Sequence, residues 1–108
     1  MSKSYLAIDT SNYTTSTAFY RNGEILQAKK LLPVKEGQLG LRQSDALFQH
    51  IKNLPEIIKT AVGSNKIDAI GVSDRPRALD DSYMPVFLAG VNSAEAAAAA
   101  AGVPLYKF

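Results

Sequence analysis

The chain has 108 residues, 12 Lys and Arg against 10 Asp and Glu, a formal net charge of +2 and no cysteine. That length holds one domain with a single core and excludes a two-lobed enzyme. The small, scattered positive charge gives no electrostatic case for nucleic acid, and the lack of cysteine removes both a disulfide framework and a thiolate zinc site.

The first elements are extended. Leu6 to Ile8, Thr15 to Tyr20 and Glu24 to Lys30 are rich in apolar, β-branched or aromatic residues and read as three strands. Asn22-Gly23 joins the last two, and because both residues tolerate positive φ this is a strong hairpin signal, making the opening an antiparallel meander. Between the first two strands the chain runs Asp9-Thr10-Ser11-Asn12-Tyr13-Thr14-Thr15, a carboxylate at the head of a hydroxyl-rich turn. Such a turn offers oriented N–H and hydroxyl groups to an anion, and its composition is equally that of a turn capped by its own side chains.

From Leu31 to Gln43, Pro33, Gly37 and Gly40 leave no sustained period, and a long loop is expected. Ser44 is placed as the N-cap of a helix with Asp45 in its first turn, and Leu47, Ile51, Leu54, Ile58 and Ala61/Val62 form its apolar stripe. Pro55 is expected to kink that helix near Ile51, and Gly63 to close it. His50, the one histidine, reads as a structural or solvated side chain rather than a ligand, since no Asp or Cys stands beside it.

Ile67 to Val72 is expected as a buried strand, followed by the loop Ser73-Asp74-Arg75-Pro76-Arg77. Arg75 and Arg77 flank a proline at the carboxyl end of a strand, where open α/β sheets bind ligands, so they are anion-binding candidates against a solvated-loop alternative. Asp80-Asp81-Ser82 reads as a cap for a second helix, which starts with Pro85 in its first turn, runs to Ala101 and ends at Gly102. The alanine run lets that helix lie close on a sheet, and Gly90, Asn92, Ser93 and Glu95 make it a poor membrane span. Val103 to Tyr106 is placed as a last strand. A soluble, cytoplasmic protein is the expectation, with no Ser/His/Asp set and no His-Glu-x-x-His motif to support proteolysis.

Three meander strands, a helix, a strand, a helix and a strand make an α/β order that resembles the ribonuclease-H-like half of the actin, sugar kinase and heat-shock ATPase fold. It implies a mixed five-stranded sheet, three antiparallel meander strands plus two parallel ones, with two helices. More narrowly, Ala7-Ile8-Asp9-Thr10-Ser11, His50 with Pro55, Ile67-Asp68-Ala69-Ile70-Gly71-Val72 and Leu88-Ala89-Gly90-Val91-Asn92 resemble the amino-terminal lobe of the glycoprotease (O-sialoglycoprotein endopeptidase-like) family, which includes tRNA threonylcarbamoyladenosine transferases.

The resemblance implies a metal-dependent threonylcarbamoyl transferase with a nucleotide-type cleft between two lobes. It implies a nucleotide and a divalent metal for a full-length relative, but neither catalytic residues nor metal ligands nor any cofactor within this chain, whose family metal pair would lie past the last strand. Residues 1–108 then form a single lobe, a truncated part of a two-lobed protein and inactive alone. Nucleotide or phosphate contact falls to Asp9, Thr10, Ser11, Asn12, Thr14, Thr15, Arg75 and Arg77, and His50 to the interlobe region. The partners implied are the missing carboxyl-terminal lobe, self-association and, by resemblance only, tRNA. No membrane partner is implied, and the second reading is a non-catalytic dimerisation or binding module of the same superfamily. Two departures stand out: Asn12-Tyr13-Thr14 replace the family's Cys-Asp-Asp, and Arg75 and Arg77 replace the two glycines of its Arg-Gly-Pro-Gly loop.

Overall fold

In a computed structural model, residues 3–11, 13–32, 43–74 and 85–108 are described, with the helix side chains beginning at 45 and 86. Segments rich in apolar, β-branched or aromatic residues form the strands β1 (Ser4–Asp9), β2 (Thr14–Arg21) and β3 (Glu24–Leu31), with burial alternating along β1 and most of β2. Helix α1 (Gln43–Val62), β4 (Ala69–Val72), α2 (Pro85–Ala101) and β5 (Leu105–Lys107) follow. The sheet order is β3-β2-β1-β4-β5, antiparallel across β1, β2 and β3 and parallel from β1 through β4 to β5. The meander-plus-two-parallel architecture expected from the sequence is the one observed.

Turn chemistry fixes the boundaries. Asn22 and Gly23 take φ of 56° and 79°, both left-handed, as the tight hairpin between β2 and β3 requires. Gly63 ends α1 with its N–H donating to the Lys59 carbonyl at 2.8 Å. At the end of α2, Gly102 N–H donates to Ala99 and Val103 N–H to Ala98, the paired bonds of a Schellman cap. That cap consumes the Val103 N–H, so β5 begins at Leu105 rather than at the expected Val103. The expected strand from Ile67 likewise shortens to Ala69. Asp68 instead clasps the start of β1, its N–H donating to the Ser4 carbonyl and its carboxylate accepting the Ser4 N–H, both at 2.8 Å.

Both helices cover one face of the sheet. Leu6 and Ile8 of β1, Phe19 of β2 and Ile70 and Val72 of β4 pack there against Leu54, Ile57 and Ala61 of α1 and against Ala89, Ala94 and Ala98 of α2. Large side chains on the sheet meet small ones on α2, which lets that helix approach closely. Gly90 is the extreme case: a Cβ there would stand 3.1 Å from Thr10 Oγ1 and 3.3 Å from both Ile8 Cγ2 and Val72 Cγ2.

Helix α1 runs through Pro55 unbroken as one 20-residue helix, as expected. It departs from the expected reading in two respects. It begins at Gln43, so Ser44 lies inside the first turn and is not the cap. Its buried face carries Ala46, His50, Asn53, Leu54, Ile57 and Ala61, whereas Ile51 is 54% exposed. Counting only apolar residues rotated the stripe away from the two polar side chains that point inward. The long loop expected between Leu31 and Gln43, and the capping role of Asp80-Asp81-Ser82, fall on residues outside those described. Among the described residues no helix is long and apolar enough to cross a membrane.

Candidate functional site

Strands β1 and β4 run parallel and end together, at Asp9 and at Val72, and the first turn of α2 returns to the same end of the sheet. In open α/β folds this end is where ligands collect. Asp9 is exposed there, with its Oδ1 accepting the Ser11 N–H at 2.8 Å, the geometry of an Asx turn. Ser11 is exposed and Thr14 half-buried. These three are the members of the predicted set that the described structure presents to solvent. Asn12, Arg75 and Arg77 lie outside the described residues.

Thr10 and Thr15 have other work. Thr10 is wholly buried, and its hydroxyl donates to the Val86 carbonyl at 2.8 Å while accepting the Gly90 N–H at 3.2 Å. Val86 and Gly90 are an i, i+4 pair, the two groups that an α-helix ordinarily bonds to each other. The Thr10 hydroxyl therefore engages both members of a backbone pair in the first turns of α2, and it fastens that helix to the turn after β1. The close approach is possible because residue 90 has no side chain.

Thr15 is also wholly buried, and its Oγ1 lies 2.8 Å from His50 Nδ1 and accepts the Asn53 side-chain N–H at 3.2 Å. One step along β2, the Thr17 hydroxyl reaches the carbonyls of Ala28 and Ile57 at 3.0 and 3.3 Å. These bonds lock α1 onto the meander. His50 is thus a wholly buried member of a polar cluster between α1 and β2 and contributes nothing to the exposed surface of this chain.

Two residues that the sequence reading passed over share the Asp9 recess. Asp9 pairs with Ser16, and Ser16 with Lys29, in the strand register. All three line a shallow cavity of about 130 Å³ floored by Ala7 and Ala18. The signal was in the sequence: once the Asn22-Gly23 hairpin is fixed, register places Lys29 two strands from Asp9 on one face. An anion contact at this end would draw on the Ser16 hydroxyl and the Lys29 ammonium, with the Asp9 carboxylate orienting the turn through the Ser11 N–H. Among the described residues no group of three or more His, Cys, Asp or Glu comes together that could hold a metal ion.

No protein-family model and no curated protein matches this chain in sequence. Solved structures do match in fold. YeaZ from Pseudomonas aeruginosa superposes with a TM-score of 0.72 at 18% identity, over 98% of this chain and 43% of that one. An uncharacterised protein with similarity to peptidase YeaZ, from the same organism, gives 0.60 at 20% identity, again over 98% and 43%. RuvC from Thermus thermophilus gives 0.56 at 13% identity, over 97% of this chain and 63% of that one. The chain therefore spans less than half the length of the YeaZ structures it matches, and with them and RuvC it shares the ribonuclease-H-like fold.

Proposed function

We propose that this chain is the amino-terminal lobe of a glycoprotease-like protein related to tRNA threonylcarbamoyladenosine biosynthesis, carrying half of a nucleotide-type cleft and inactive alone. The observation that carries this reading is the placement of Asp9, an exposed carboxylate at the joint carboxyl ends of β1 and β4, beside an α2 terminus fastened by Thr10. The likeness to the YeaZ structures over less than half of their length supports a single lobe. The natural partner is then a second lobe that closes the cleft and supplies whatever metal chemistry the complete protein uses. Self-association and contact with tRNA belong to the same proposal.

Half a cleft binds weakly. Adenine nucleotide titrated into the chain should give a dissociation constant in the millimolar range, roughly −4 kcal/mol. Amide shifts on that titration should concentrate at Asp9, Ser11 and Ser16, and Asp9→Ala should abolish them. Micromolar affinity that survives Asp9→Ala would place the site elsewhere and refute the proposal.

The alternative reading is a non-catalytic dimerisation or binding module. Its support is a second exposed surface, with Phe48 and Ile51 one turn apart on α1 and Leu88 on the adjacent α2, all more than half exposed. A partner that saturates the chain stoichiometrically and is lost on Leu88→Glu, with no response to nucleotide, would favour it.

A further inference from the structure

The hairpin end of the sheet, opposite the Asp9 end, holds a cavity of about 410 Å³ on the helix side. Asn22 and Gly23 close the hairpin in two residues, so Arg21 and Glu24 face each other as the first pair of β2 and β3. Strand alternation puts both side chains on the face of Phe19 and Leu26, the face that α1 packs against. Helix α1 ends beside them at Val62, and Gly63 takes φ of 61° to turn the chain. The space between hairpin and helix end is the cavity. Phe19 and Ala61 lie buried at its base, and Leu26, 52% exposed, forms a wall.

The polar groups of its rim are held in place. Asn65 donates from its backbone N–H and its side-chain Nδ2 to the Val62 carbonyl, at 3.1 and 3.0 Å. That fixes its side-chain oxygen, which accepts from the Arg21 guanidinium. A guanidinium has five N–H donors, so four remain for a ligand. Glu24 carries the opposite charge, and side chains directly opposed on paired strands start about 5 Å apart. Neither Arg21 nor Glu24 is ion-paired among the described residues. The carboxyl end of α1 adds partial negative charge on the side of Asn65.

We propose that this cavity binds a free α-amino acid with a large apolar side chain. A simple anion would be attracted by Arg21 and repelled by Glu24 and the helix end, and a simple amine would meet the reverse. A zwitterion satisfies both signs: its carboxylate takes the open fork of Arg21 and its ammonium takes Glu24. Its side chain then covers Phe19, Leu26 and Ala61, the apolar part of the lining. The volume falls within the roughly 300–1,000 Å³ of small-molecule sites, and an apolar base with a few convergent polar groups is their usual make-up. None of these residues belongs to the Asp9 turn, so loss of the nucleotide reading leaves the inference standing.

Nuclear magnetic resonance titration of the 108-residue chain with phenylalanine provides the test, with circular dichroism as the folding control for each variant. Saturable shifts are expected at Phe19, Arg21, Glu24 and the Asn65 side-chain amide, with a dissociation constant of about 1 mM. Hydrocinnamate, which lacks the ammonium, and phenethylamine, which lacks the carboxylate, should each bind about fivefold more weakly. Glycine, with no side chain to bury, should bind at least about tenfold more weakly. Arg21 and Glu24 are both exposed, so Arg21→Gln and Glu24→Gln should leave the fold intact and each weaken phenylalanine about fivefold. Glu24→Gln should also erase the preference for phenylalanine over hydrocinnamate, since only the former uses that carboxylate. No shift at these residues up to the solubility limit of phenylalanine overturns the proposal. Equal affinity for phenylalanine and hydrocinnamate rejects the zwitterion, and equal affinity for phenylalanine and glycine rejects the apolar base. Shifts confined to Asp9, Ser11 and Ser16 overturn it too, since they assign the ligand to the other end of the sheet.

Discussion

The two faces of one sheet are built on opposite plans. On the helix side, large side chains stand on the strands and the partner elements are small, down to Gly90, whose missing Cβ admits the Thr10 hydroxyl. On the bare side, the strands carry both sizes in adjacent rows, Tyr5 and Tyr20 beside Ala7 and Ala18, and no described element covers them. Consecutive residues of one strand therefore differ in what they hold together. Leu6 is 1% exposed and belongs to the core, whereas Tyr5 is 43% exposed and touches chiefly its neighbour Tyr20. The helix face stabilises the fold, and among the described residues the other face carries little of that load.

Unfolding measurements can break that contrast. Leu6→Ala should give the largest loss, about 3–4 kcal/mol in urea denaturation, from lost transfer energy plus an unrelaxed cavity. Next comes Gly90→Val, at about 2–3 kcal/mol, because the new side chain meets Thr10, Ile8 and Val72 and cannot be accommodated without separating α2 from β1. Thr15→Val should cost about 2 kcal/mol: it keeps the shape but strips His50 and Asn53 of a buried partner, and Thr15→Ser should retain most of the stability.

Thr10→Val should cost less, about 1 kcal/mol, since the Val86 carbonyl and Gly90 N–H it abandons are positioned to bond each other. Amide exchange at Gly90 would detect that re-pairing, and global unfolding of the variant would contradict it. The smallest effect is expected at Tyr5→Ala, about 1 kcal/mol or less at concentrations where the chain is monomeric, the worth of one exposed ring pair. Should Tyr5→Ala cost as much as Leu6→Ala, the two faces would not differ in the way described.

Much of this architecture was legible in the residues themselves. The apolar, β-branched and aromatic content of β1, β2 and β3, the Asn22-Gly23 hairpin, Gly63 and Gly102 as helix stops and Pro85 as a start are local signals, decided by backbone sterics and hydrogen bonding within a few residues. The stripe of α1 was less legible. His50 and Asn53 look like surface residues in sequence, and only Thr15, 35 and 38 positions away, makes their burial affordable. Strand ends were misplaced where a cap at Val103 or the clasp between Asp68 and Ser4 claimed a backbone group that pattern alone assigned to the sheet.

The candidate site divides along the same line. Asp9 at the end of a buried strand was evident from its position, as was the hydroxyl-rich turn after it. Which hydroxyls face outward was not: Thr10 and Thr15 were indistinguishable in sequence from Ser11 and Thr14, yet α2 and α1 draw them into the interior. Ser16 and Lys29 joined Asp9 only through strand register. By itself the sequence determined the order of elements, the meander and the acid at the end of β1, because these follow from propensity and period over short spans. The tertiary structure decided which face of the sheet is covered and which polar groups are consumed by packing. Both depend on long-range contacts, and a buried hydroxyl must find its partner wherever the fold supplies one.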